Sequence, residues 1–187
     1  MTEISRVALF GKLNRLGYQA VEGAAVFCKM RGNPYVEVVH WLAQILNAQD
    51  SDVVRIVRHY GLDASRLAAD MTKSLDALPR GATSISDLSP HLEDAMKRGW
   101  VWGSLLYSSS QVRTGHLILG MLKTKALRNL LTGISGEFAK INPDDLADNF
   151  HKITDGSPED SMGAQDGSQT GGGAAPSGGM GGLEDLG

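Results

Sequence analysis

The segment NPYVEVVHWLAQIL, Asn33 to Leu46, is answered by SSQVRTGHLILGML, Ser109 to Leu122. In both, a valine stands four residues before a histidine, and the histidine opens an apolar run. Val36 and Val112 are 76 residues apart, as are His40 and His116. Further on, ASRLAADMTK (64–73) parallels PDDLADNFHK (143–152), with Leu67 and Leu146 separated by 79, so a small insertion lies between. Such a repeat narrows the available folds, because one unit leaves an apolar face that only a second, related unit can cover. The expected architecture is all-α: two pseudo-symmetric four-helix repeats, about 5–78 and 89–154, packed as one body over residues 1–154. LPRGATSISDLSP, Leu78 to Pro90, joins them.

Helical spacing supports this reading along the chain. Phe10, Leu13, Ala20, Ala24 and Phe27 predict a first helix over about 5–30, with a bend near Gly11 or Gly17. Val36, Val39, Ala43 and Leu46 form the face of a second helix. Asp50 or Ser51 caps a third that stops at Gly61, and Asp63 caps a fourth carrying Leu67, Met71, Leu75 and Leu78. In the second half Ser89-Pro90 opens a helix through Leu92, Ala95, Met96 and Trp102. Thr114 is the expected cap of the next, and a short helix covers about 126–131. Asn142-Pro143-Asp144-Asp145 starts the last with a cap residue, proline in the first turn and acids at the positive helix end. No stretch alternates apolar and polar residues well enough to predict a strand.

After about Thr154 the composition changes to Gly, Ser and acid, and 155–187 is expected to be a flexible linker. Net charge is −3, but six acids lie in this tail, so the body is mildly basic, without a basic stripe to suggest nucleic acid. No apolar run is long enough to cross a bilayer, so no membrane partner is expected and a cytoplasmic location is. The single cysteine, Cys28, sits in an apolar helical pattern and is read as a small buried hydrophobe.

Sites of chemistry are missing from the pattern. Gly11-Lys12 lacks the glycine five residues upstream, and Leu13 stands where a phosphate loop needs Ser or Thr. The five histidines have no metal-ligand spacing with one another or with Cys28, so no metal site is expected. His40 and His116 begin equivalent helices in different halves, where each ring is expected to bond nearby backbone. No catalytic residue is assigned; a hydrolase built on these two histidines is the rival to be excluded.

The doubled unit, with its VxxxH entry and the HLILGML run at His116–Leu122, resembles the Clp N-terminal domain family over about 5–154. RGNPYVEVVHW (31–41), DSDVVRIVRHYGLD (50–63), LPRGATSISDLS (78–89) and QVRTGHL (111–117) look most like the ClpV-type members, the AAA+ unfoldases of bacterial type VI secretion. The resemblance implies a non-catalytic recognition domain of a bacterial, cytoplasmic, hexameric parent. Its linker would lead toward ATPase modules, and ATP and magnesium would bind only there. The implied partner is a helical N-terminal peptide of the large subunit of the contracted sheath, which the parent dismantles. The isolated domain is expected to be monomeric. A general disaggregase-type N-domain that holds unfolded segments or an adaptor is the alternative.

Helix-in-groove recognition needs an apolar cleft. The first helix carries more apolar residues than one buried face requires, so Leu9, Phe10, Leu13, Leu16 and Tyr18 are the expected groove residues, with Ile85 and Leu88 of the inter-repeat segment. Trp100, Trp102 and Tyr107 lie mid-helix and are expected to pack on the core.

Overall fold

The computed structural model describes residues 4–168; the remainder of the expected linker, 169–187, lies outside the described residues. The first half contains α1 (Arg6–Lys12), α2 (Arg15–Arg31), β1 (Tyr35–Val36), α3 (Val38–Leu46), α4 (Asp52–His59) and α5 (Ala64–Asp76). The second contains β2 (Asp87–Leu88), α6 (Pro90–Tyr107), α7 (Thr114–Leu122), α8 (Lys125–Ile134), a 3-10 turn at Gly136–Lys140 and α9 (Pro143–Ile153). The two four-helix repeats are therefore present, with the first helix of the first repeat divided in two. The inserted residues of the second repeat form the 3-10 turn, whose Phe138 is buried in the core.

The division of the first helix falls at Leu13-Asn14 rather than at a glycine. Both residues are extended, and the Asn14 side chain accepts from Gly17 N at 2.9 Å, restarting the helix as an N-cap. Asn14 corresponds to Ser89, the cap of α6, 75 residues later. The cap expected at Thr114 is one residue earlier: Arg113 holds the N-cap position of α7, and the Thr114 hydroxyl is used elsewhere.

The two-residue strands missed in the sequence explain how the halves interlock. β1 pairs in parallel with β2, Val36 opposite Leu88, and Leu13 makes the corresponding parallel bridge to Val112. Asn14 N donates to Val112 O at 3.1 Å and Ser89 N to Val36 O at 2.9 Å, two bonds that exchange under the pseudo-two-fold. Each repeat thus sends the residues before its long helix into the other repeat. Two residues per strand are too few for a period-2 pattern to register.

The helices cross closely in both halves, with different solutions. A Cβ on Gly23 of α2 would lie 2.5 Å from Gln44 of α3, whereas a Cβ on Gly120 of α7 would lie 2.7 Å from the backbone of Arg98 of α6. Gly23 aligns with Arg98 and Gln44 with Gly120. In the second repeat both helices contribute glycine to the crossing, since a Cβ on Gly103 of α6 would also lie 2.5 Å from His116 of α7.

The expected start of the linker at 155 is incorrect for residues 155–168, which pack against the body. Ser157 caps a 3-10 turn at Pro158–Ser161, and Glu159 is fully buried. Its carboxylate accepts from Asn14 Nδ2 (2.9 Å), Asp52 N (2.7 Å), Thr114 N (2.7 Å) and Thr114 Oγ1 (2.6 Å). One carboxylate thereby serves the starts of α2, α4 and α7, where amide groups are unpaired and the helix dipole is positive. Beside it, Arg113 grips the buried Asp52 with two bonds, at 2.8 and 2.7 Å, and reaches Asp160 at 2.7 Å. Burial and Asp52 push the Glu159 carboxyl up to about 7, against the pull of its donors. The chain then pairs with the α1–α2 junction: Gln165 N donates to Leu13 O and Asp166 N to Gly11 O. A composition too polar to build an apolar core is ordered here by charge placed on helix ends.

Candidate functional site

α1 is a short helix held at both ends. Ser5 caps its start, accepting from Ala8 N at 3.1 Å. Arg6 bonds Glu93 of α6 at 2.8 Å and pairs with Asp87 of β2. At the other end the Lys12 ammonium sits 5.1 Å from the Trp100 ring centroid and 3.0 Å from Asp166. The helix therefore lies beside both α6 and the inter-repeat segment, so the two stretches expected to wall a groove are neighbours.

The seven expected groove residues divide by burial. Leu13 is 0% exposed and Leu9 5%, so both belong to the core and are not available to a ligand. Leu13 points inward because it occupies the Val112 bridge, and Leu9 because it is the inner side of α1. Phe10, Leu16, Tyr18, Ile85 and Leu88 are half-buried and pack on that core. Phe10 meets Tyr18 edge-on, with centroids 6.4 Å apart. Ile4 and Val7, 63% and 81% exposed, extend the apolar surface outward. They were absent from the expected set, although their spacing with Phe10 continues the helical period. Trp100, Trp102 and Tyr107 are half-buried against the core, as expected.

Two other apolar features were not legible. A cleft of about 460 Å³ lies on the first repeat between α3, α4 and α5, bordered by Leu46, Val57, Leu67, Met71 and Leu75. On the long helices, Val26 and Met30 of α2 are exposed, and so are their equivalents Val101 and Leu105 of α6.

The histidines serve structure. His40 Nδ1 accepts from Glu37 N at 2.8 Å, and His116 Nδ1 from Arg113 N at 3.1 Å, the same bond in each half. Burial holds both rings neutral, with pKa values lowered to about 4 and about 3, aided by Arg31 and Arg113 respectively. Among the described residues no three His, Cys, Asp or Glu side chains gather as a metal site.

No family model matches the chain. It is 58% identical over 176 residues to the AAA+ ATPase ClpV1 of Pseudomonas aeruginosa, covering 94% of this chain and 19% of that protein. A solved structure from work on the coevolution of ClpV, the TssB–TssC sheath and HsiE in type VI secretion is 60% identical, with a TM-score of 0.82. That match spans 85% of this chain and 98% of the solved one. The chain belongs to the ClpV N-terminal domain family. It spans about a fifth of the length of ClpV1. The fold recurs in a ClpV N-domain solved in complex with VipB peptide, at 24% identity and a TM-score of 0.72, over 85% of this chain and 97% of that one. In this ClpV-family chain the α1 surface is the strongest candidate site, because exposed apolar side chains continue directly into half-buried ones.

Proposed function

We propose that the chain is the recognition domain of a ClpV-type unfoldase and holds a helical N-terminal segment of the large type VI sheath subunit along α1. Phe10, Tyr18, Ile85 and Leu88 would form the floor, and Ile4 and Val7 the outer lip. The observation that carries the reading is the exposure of Val7 on α1, and of Ile4 just before its cap, where the helix's polar residues, Arg6 and Lys12, are already engaged with the body. Leaving Val7 in water forgoes about 1.5–3 kcal/mol relative to full burial, and an amphipathic guest helix recovers part of it. A related ClpV N-domain binds VipB peptide, which supports the same class of guest here. Catalysis is assigned to modules outside this chain, where ATP and magnesium would act. Six tethered copies in a hexameric, cytoplasmic parent would add avidity to a weak single contact.

Fluorescence anisotropy with a labelled peptide from the sheath subunit's N-terminus tests the reading. Saturable micromolar-class binding is expected, weakened at least tenfold by Val7→Asp, since a charge at an apolar contact costs more than about 1.4 kcal/mol. Met71→Ala, in the α3–α5 cleft, should leave it unchanged. Binding that tracks Met71 and ignores Val7 would move the site to that cleft.

A further inference from the structure

Residues 164–168 form a turn shut by its own bonds. Ala164 N donates to Ser168 O at 3.0 Å, Gly167 N to Ala164 O at 3.1 Å, and Ser168 N to the Asp166 carboxylate at 2.9 Å. Gly167 supplies the left-handed backbone, φ 91°, that the turn requires. The turn is seated on the end of α1. Ala164 is buried and bridges Asn14, Gln165 N donates to Leu13 O at 2.9 Å, and Asp166 N to Gly11 O at 2.8 Å. From the other repeat, Val112 N donates to Lys12 O at 2.7 Å. The last carbonyls of a helix have no partner within it, and those of α1 are served by these two outside segments. Side chains repeat the attachment: Lys12 Nζ lies 3.0 Å from Asp166 and 3.3 Å from Ser168 Oγ, while it sits over Trp100 of α6.

With seven residues, α1 is too short to stay helical in water without tertiary support. Leu9 is its one buried side chain. The Arg6 pairs that hold its start are largely exposed and contribute little. The arrangement that displays Val7 and Phe10 therefore depends on how its far end is held. Glu159 anchors the same C-terminal segment more deeply, with four bonds to the starts of α2, α4 and α7. The turn, by contrast, holds only the α1–α2 junction, so it can leave while the body stays intact.

We propose that residues 164–168 are a clasp that regulates the α1 site: seated, it holds α1 ready for a guest, and drawn away, it lets α1 loosen and the guest leave. The regulation rests on the reading of α1 as the guest site. Residues 169–187 follow the clasp directly, so a pull along the chain reaches it before it reaches Glu159. A guest that needs α1 ordered binds more weakly by the fraction of time α1 is loose. By linkage, a bound guest stabilises the seated clasp by the same factor that the clasp strengthens the guest.

The test compares the full chain with chains ending after Ser168 and after Gly163, by anisotropy with the labelled sheath peptide and by amide exchange of the free chains. The chain ending after Ser168 keeps the clasp and is expected to match the full chain. The chain ending after Gly163 loses the clasp but keeps Glu159 and Asp160. Its peptide affinity is expected to fall roughly fivefold or more, and its α1 amides to exchange faster by a similar factor, with α4 and α7 unchanged. Unchanged affinity, unchanged α1 exchange, or an acceleration shared by α4 and α7 overturns the clasp. A second measurement uses the full chain alone and decides the matter should the shorter chain not fold: saturating peptide is expected to slow exchange of the Gln165 and Asp166 amides roughly fivefold or more. Equal rates with and without peptide overturn the coupling. Peptide binding that ignores Val7→Asp overturns the α1 reading and the regulation with it, whereas binding that needs Val7 and ignores the clasp overturns the regulation alone.

Discussion

Replacing Glu159 with alanine removes the acceptor for four buried donors, Asn14 Nδ2, Asp52 N, Thr114 N and Thr114 Oγ1. At about 1–2 kcal/mol for each stranded donor, the gross cost is roughly 4–8 kcal/mol. Against it stands the relief of burying a carboxylate beside Asp52. Burial and Asp52 raise that carboxyl even with its donors in place, so removing the charge returns part of the gross cost. With the gross cost at its lower end, the net loss is about 3 kcal/mol, a large share of the roughly 5–15 kcal/mol that holds an ordinary domain. Urea unfolding followed by tryptophan fluorescence should show the midpoint falling by about 1.5 M, taking a slope of about 2 kcal/mol/M. Truncation after Thr154 should cost at least as much, because it also removes Asp160 and the pairing to Gly11 and Leu13. If the truncated chain unfolds at the wild-type midpoint, residues 155–168 are an appendage and the reasoning about helix ends fails.

Acidification should destabilise the domain through its histidines. Their folded pKa values lie below the unfolded 6.5, at about 4 for His40 and about 3 for His116, so the unfolded chain takes up protons first. Stability present above 6.5 is lost as pH falls through that window, by at most about 2.7 kcal/mol per pH unit for two protons. Glu159, raised, opposes this with the reverse slope, so the Glu159→Gln variant should show the steeper acid loss in urea midpoints measured between pH 7 and 4. A shallower one would contradict the assignment. Gly120→Ala should cost more than about 3 kcal/mol, because its Cβ meets backbone at 2.7 Å in a crossing that cannot spread without cavities. Gly133→Ala, with open space at its Cβ, should be neutral or stabilising by up to about 1 kcal/mol; thermal melts of the pair check both. Arg6→Ala should speed amide exchange in α1 while leaving the global midpoint nearly unchanged, since exposed ion pairs contribute about 0–1 kcal/mol.

Where the structure followed the sequence, a local chemical signal agreed with a long-range one. Ser51, Asp63, Ser89 and Asn142 all cap the helices they were expected to cap, and the 76-residue offset of Val36 and Val112 became equivalent bridge positions. The break at Leu13-Asn14 was hidden because apolar spacing runs through it, and only tertiary pairing makes the extended form preferable. Ser157-Pro158-Glu159-Asp160 copies the cap, proline and acid pattern that marked α9, and the glycine-rich residues after it masked that signal. That α1 and the inter-repeat segment lie side by side was legible, and which of their side chains stay exposed was less so. A helix apolar on most of its circumference announces two neighbours, but its sequence does not say which side faces inward, and Leu9 and Leu13 turned out to face the core.

The reciprocal bridges, Leu13 to Val112 and Val36 to Leu88, give the domain the topology of an exchanged dimer written into a single polypeptide. Neither moiety is self-sufficient, because each lends the other the edge it needs. A nick in the 78–86 connection would leave two fragments obliged to find each other.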